Sequence, residues 1–206
     1  MSGTGLASDS YNVSGAGTSM AQQGRTITAN QLWCMPDDGY HRYELDEGRL
    51  LTMTPSGMLH AAVVTRLNAA LANYVEAAKA GVVLAGDPGF KLESDPDTVR
   101  APDVAFIARH RIPAQGLTPR FWSGAPDLAV EVLSPGDKRS EVDRKIAQYL
   151  RHGVQQVWFV EPASRRLTTY AAGLAPVVLC ETDTLDGGDL LPGFRIALAR
   201  LFDFDL

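Results

Sequence analysis

Glu131 interrupts the run Leu128-Ala129-Val130-Glu131-Val132-Leu133, which is otherwise apolar. Strand side chains two residues apart share a face, so Glu131 falls with Asp127, Ala129 and Leu133, and opposite Leu128, Val130 and Val132. A carboxylate in the middle of such an element is costly unless it is paired, protonated or bound to metal. It is therefore either tied to an Arg or Lys as part of the structure or it does chemistry. Asp103, in Pro102-Asp103-Val104-Ala105-Phe106-Ile107, is a second carboxylate at the start of a strand, although an Asp beside a proline often only caps a turn. Two carboxylates from two strands form a hard-oxygen pair suited to Mg²⁺ or Mn²⁺, ions that take one or two protein carboxylates and keep several waters.

Three more residues enter through their spacing. Lys145 lies one helical turn from Val142 and from Tyr149, on the flank of the stripe Val142, Ile146, Tyr149. It either snorkels to solvent or reaches the carboxylates, because its helix follows Glu131 directly. His60 precedes Val64 by one turn and begins a buried stripe, as a hydrogen-bonded core histidine or as a site residue. Glu44 is either a solvated strand residue or faces the site across a sheet.

The elements that must position these groups follow from periodicity. Thr28 is placed to cap a short helix with Ala29, Leu32 and Trp33 on one face. Residues 43–53 alternate around Glu47-Gly48 and read as a hairpin. Met58 to Lys79 is a long helix with Val64, Leu67, Leu71, Tyr74, Val75 and Ala78 recurring at helical spacing, and Gly81 is expected as its C-cap. Residues 82–85, 89–93 and 102–108 read as strands. Asp127 to Leu133 reads as a central strand, being apolar nearly throughout. A helix over 140–152 stops at Gly153. Residues 157–160 and 166–171 form a hairpin, 177–181 a further strand, and Leu198, Leu201 and Phe202 belong to a short last helix. This order is that of an α/β or α+β fold with a mixed sheet.

Taken together, several pieces resemble a known family. They are Tyr43-Glu44-Leu45 with Gly48, His60 opening a helix, Pro102-Asp103-Val104, and Pro126-Asp127-Leu128-Ala129-Val130-Glu131-Val132-Leu133-Ser134-Pro135. Asp143, Lys145 and Tyr149 follow, then Gly153-Val154, Val157-Trp158 and Pro162. Over about residues 26–203 the chain resembles the Uma2 family of restriction endonuclease-like proteins, a branch of the PD-(D/E)XK nuclease superfamily. The resemblance implies a restriction endonuclease-like core, a mixed β-sheet flanked by helices. It also implies a metal-dependent endonuclease acting on DNA, with Asp103 as the first acid and Glu131 as the second. Asp127 also follows a proline and competes for the first-acid role; Asp103 is preferred because it lies on a separate strand. Leu133 stands where the superfamily motif has its lysine, and Lys145 matches a lysine that has moved to the following helix. The implied metal ligands are Asp103, Glu131 and the main-chain carbonyl of Val132, with Lys145 as the third catalytic group and Glu44 and His60 in support. The alternative is a nuclease-like fold that binds or assembles without hydrolysis, with Lys145 locked to Glu131. A third reading is a hydrolase of a smaller phosphate ester.

Composition bounds these readings. Nineteen Lys and Arg against 24 Asp and Glu leave a formal charge of −5, which argues against coating nucleic acid by bulk electrostatics. DNA binding would need a local basic rim, for which Lys91, Arg100, Arg109, His110, Arg111, Lys138, Arg139, Arg144 and Arg151 are the candidates. Two cysteines, Cys34 and Cys180, support neither a disulfide framework nor a zinc site. No run approaches a membrane span and no signal peptide is read, so a cytoplasmic location is expected. Residues 1–24, rich in Ser, Gly, Thr and Ala, are expected as a disordered extension to a single domain over 25–206. A homodimer is expected, with the hairpin strands around Trp158 and Tyr170 as its surface.

Overall fold

The computed structural model describes residues 26–36, 39 and 41–204; the extension expected over 1–24 lies outside the described residues. The chain opens with α1 (Ala29–Trp33), closed at its start by a capping box in which Thr28 and Gln31 exchange side-chain and backbone hydrogen bonds. The hairpin β1 (Arg42–Asp46) and β2 (Arg49–Met53) turns at Glu47 and Gly48, whose φ angles of 51° and 77° are those a two-residue hairpin loop requires. Then come α2 (Met58–Ala78), β3 (Gly81–Ala85), β4 (Phe90–Glu93), β5 (Thr98–Arg100) and β6 (Val104–Ala108). After a long loop follow β7 (Trp122–Ser123), β8 (Leu128–Val132), α3 (Arg139–Arg151), β9 (Gln156–Glu161) and β10 (Arg166–Tyr170). The chain closes with β11 (Val177–Cys180), β12 (Thr184–Asp186), β13 (Arg195–Ala197) and α4 (Ala199–Phe202).

Two main sheets result, one ordered β2-β1-β5-β4-β7 and one ordered β11-β10-β9-β8-β6-β3, with β12-β13 as a separate pair. β8 is interior, as its apolar run requires, antiparallel to β6 and parallel to β9. A parallel pair needs a crossover, and α3 supplies it. Leu128, Val130 and Val132 join the core against α2, whereas Ala129 joins the smaller cluster under α3 with Ile146 and Tyr149. Glu131 shares the face of Ala129 and so lies on the α3 side.

The long helix differs in detail from its sequence reading. Its buried stripe is Val63, Leu67, Leu71 and Val75, with Val64 and Tyr74 on the flanks and Ala78 exposed. The helix ends at Lys79 in the left-handed conformation, φ 51°, so Gly81 is not its cap. Gly81 already lies in β3, opposite Ala108, where a Cβ would stand 2.0 Å from the Ile107 carbonyl oxygen. Backbone approach selects this glycine. Gly81→Ala is expected to cost about 1–3 kcal/mol by overpacking, read as a lowered midpoint of thermal unfolding; an unchanged midpoint would show that β3 can give way.

Strands β5, β7, β12 and β13 were not legible in the sequence. The dimer surface expected around Trp158 is not available, because Trp158 is fully buried and stacks on Phe194. The exposed apolar residues of that sheet are instead on its edge, Val177 and Val178 of β11. Among the described residues, no helix is long and apolar enough to cross a membrane.

Candidate active site

The two sheets and α3 enclose a cleft of about 630 Å³, walled by the β1–β2 hairpin, the start of α2, the turn after β8 and one face of α3. Glu131 projects into it from β8 and Lys145 meets it from α3. Lys145 Nζ is 2.9 Å from each oxygen of the Glu131 carboxylate and 2.9 Å from Glu44 Oε1. Continuing the register of β6 and β8 from Val104↔Val130 puts Asp103 across from Glu131. Asp103 Oδ2 accepts the Val132 N–H at 2.7 Å, and Oδ1 faces His60 Nε2 at 3.2 Å. His60, on the first turn of α2, is buried, and its Nδ1 has no protein partner. Asp103, Glu131, Lys145, Glu44 and His60 therefore all line one cleft.

Asp127 does not. It accepts the Ala108 N–H at 2.8 Å, the Gln155 side-chain amide at 2.7 Å and an ion pair from Arg111 at 3.0 Å. It fastens the far end of β6 to β8, four residues and roughly 13 Å of strand from Glu131. Of the candidate basic rim, Arg144 lines the cleft, but part of it lies elsewhere. Arg109, His110 and Arg111 follow the C-terminal end of β6, whereas Asp103 precedes its start.

Arg100 is the largest departure from its sequence reading, being 2% exposed rather than a surface cation. Its Nη1 donates to Glu44 Oε2 at 2.8 Å, its Nη2 to Asp46 Oδ1 at 2.9 Å and its Nε to Gln148 Oε1 at 2.9 Å. Glu44 also accepts the Ala101 N–H at 2.8 Å. Glu44 thus joins two cations, Arg100 beneath and Lys145 above. Tyr149, fully buried, donates its hydroxyl to Glu131 Oε1 at 2.7 Å. Its position one helical turn after Lys145 was the sequence signal that could have placed it at the site.

The charges are not evenly matched. Burial alone would raise Glu44, but the charges of Lys145 and Arg100 outweigh it and hold the carboxyl below its usual range. Burial pushes Glu131 up to about 7; Lys145 opposes the rise, and the negative charges of Asp103 and Glu44 add to it. Burial opposes the charge of Lys145, yet its two glutamates hold its pKa above the usual value. The hydrogen bond that His60 donates to the Asp103 carboxylate raises the pKa of His60. One ammonium shared by two glutamates leaves Glu131 short of positive charge.

That shortage is what a divalent cation would relieve. Among the described residues, no three His, Cys, Asp or Glu side chains form a ready metal-ligand group. Mg²⁺ needs only one or two carboxylates, so the pair Asp103 and Glu131 fits it in chemistry and number. Six carboxylates and five Arg or Lys side chains line the cleft, so its formal charges nearly cancel and the case for a cation is local to Asp103 and Glu131.

Residues 29–199 match the family model Uma2, described as "Putative restriction endonuclease". No curated protein matches the chain. Among solved structures, the chain is similar to a putative nuclease belonging to DUF820 from Anabaena variabilis, with a TM-score of 0.75 at 20% identity over 85% of this chain and 97% of that one. The likeness extends to the fold.

Proposed function

Because the chain belongs to the Uma2 family, we propose that it is a metal-dependent endonuclease that hydrolyses DNA phosphodiester bonds. The observation that supports this reading best is the cluster of Asp103, Glu131 and Lys145 on the floor of one open cleft. Asp103, Glu131 and the carbonyl of Val132 would hold Mg²⁺ or Mn²⁺. When bound, the ion supplies positive charge to phosphate oxygens and acidifies water. Lys145 then donates to the phosphoryl oxygen on which negative charge develops. Glu44 and Tyr149 keep Lys145 and Glu131 in register, and the Val132 amide and His60 orient Asp103.

A second reading has its own support. Lys145 is bonded to both Glu131 and Glu44, and Leu133 stands at the motif position, as expected of a nuclease-like fold that serves as a binding or assembly module. Lys145→Met separates the two. If the protein is a nuclease, plasmid nicking in Mg²⁺ or Mn²⁺ falls at least a hundredfold, and calorimetry still detects the metal. Absence of nicking and of metal binding at millimolar concentration in the unsubstituted protein would decide for the assembly module.

A further inference from the structure

We propose that Arg49 and Arg144 form a second phosphate seat in the cleft, which takes the backbone phosphate next to the one under attack. The proposal rests on the nuclease reading and specifies its substrate as a strand with consecutive phosphates, not a small monoester.

The seat is organised by Asp46. This carboxylate is 4% exposed, and its oxygens divide their work. Oδ1 accepts from Arg100 at 2.9 Å and from Gln148 Nε2 at 2.7 Å, inside the protein. Oδ2 holds two arginines that line the cleft, Arg144 at 2.7 Å and Arg49 at 3.4 Å. Both guanidinium groups converge on one oxygen, so they lie within a single phosphate's reach of each other. They come from opposite walls, Arg49 from the start of β2 and Arg144 from α3.

Both remain available to a ligand, since Arg49 is 63% exposed and Arg144 46%. Arg100 is committed to Glu44 and to Oδ1 of Asp46, so Arg49 and Arg144 share a single carboxylate oxygen, Oδ2. The cleft is also lined by Asp87, which pairs with Arg42, and by Asp103, Glu131, Asp137 and Glu141. Arg49 and Arg144 thus line the same cleft as the acids proposed to hold the cation. Arg144 pairs with Asp46 and Lys145 with Glu44, and Arg100 joins the two acids, so a phosphate on the arginines lies near one at Lys145. Guanidinium groups are suited to this role because their planar forks match phosphate oxygens in pairs.

The test uses the full chain and a short labelled duplex, with Ca²⁺ replacing Mg²⁺ and fluorescence anisotropy read between about 50 and 200 mM salt. Arg49→Ala/Arg144→Ala is expected to raise Kd roughly tenfold and to lower the salt slope by about two, one for each lost phosphate contact. Arg195→Ala, an exposed arginine on β13, is expected to stay within twofold. If alanine unfolds the protein, Arg49→Gln/Arg144→Gln replaces it. Unchanged affinity and slope in the double variant would overturn the seat and leave the nuclease reading standing. Calorimetry with inorganic pyrophosphate separates phosphate binding from the nuclease reading. If the unsubstituted protein binds no duplex but binds pyrophosphate through these arginines, they are a phosphate site, and the nuclease reading falls together with the seat's role toward a strand. If it binds neither, both fall.

Discussion

Glu131→Gln should abolish plasmid nicking and, in metal-free buffer, gain stability over the unsubstituted protein as pH rises from about 5 to 8. The first half follows from the proposed ligand role, since a neutral amide is a poorer donor to Mg²⁺ and no longer balances Lys145. The second half follows from Glu131 being pushed up to about 7, chiefly by burial. Below the ordinary carboxylate value, Glu131 is protonated whether the chain is folded or not, so nothing is lost. Between that value and about 7 the unfolded chain releases its proton while the folded chain keeps it, and stability falls with rising pH. The full loss is on the order of 3 kcal/mol and is complete above the folded value. Glutamine does not titrate, so the difference in urea midpoint between variant and parent should widen across this window. A difference that stays constant from pH 5 to 8 would mean that Glu131 is well compensated where it lies.

The second large effect belongs to Arg100. Arg100→Met should destabilise the protein by about 3–5 kcal/mol, because Glu44 and Asp46 stay buried with a cation removed. Urea unfolding measures it. Removing the charge on the other side as well, in Glu44→Gln/Arg100→Met, should recover part of the loss, since the expensive state is the unpaired buried charge. A double variant as unstable as the sum of the singles would argue that packing of the arginine stem, not charge, carries the effect.

Glu131, β8 and α3 were legible because each is a local pattern: an apolar run broken by one carboxylate, then an apolar stripe closed by Gly153. Family resemblance added the pairing of Asp103 with Glu131 and Lys145, and the fold agrees with the restriction endonuclease-like architecture it implied. The choice between Asp103 and Asp127 was not local. Both follow a proline and both begin a strand. Only the antiparallel pairing of β6 with β8 separates them, since it sends the two strand starts to opposite ends of the sheet. Arg100 was misread as surface for a similar reason. Its strand β5 is three residues long, too short for alternation to register, and its acid partners lie 54 and 56 positions earlier in the chain. The small strands β12 and β13 carry no stronger signal.

The site draws its groups from very different distances along the chain. Glu131 and Lys145 are 14 positions apart and belong to one β8–α3–β9 unit, whereas Asp46 and Gln148 are 102 apart. Closing a short loop loses less chain entropy than closing a long one, so the first contact can form within the unit and the second waits for the hairpin to dock. During synthesis the hairpin with Glu44 and Asp46 leaves the ribosome first and meets Arg100 of β5 before Lys145 of α3 follows. Until then Glu131 has no ammonium to meet. The carboxylate–lysine cluster is therefore complete only once α3 has been made and has packed on the sheets.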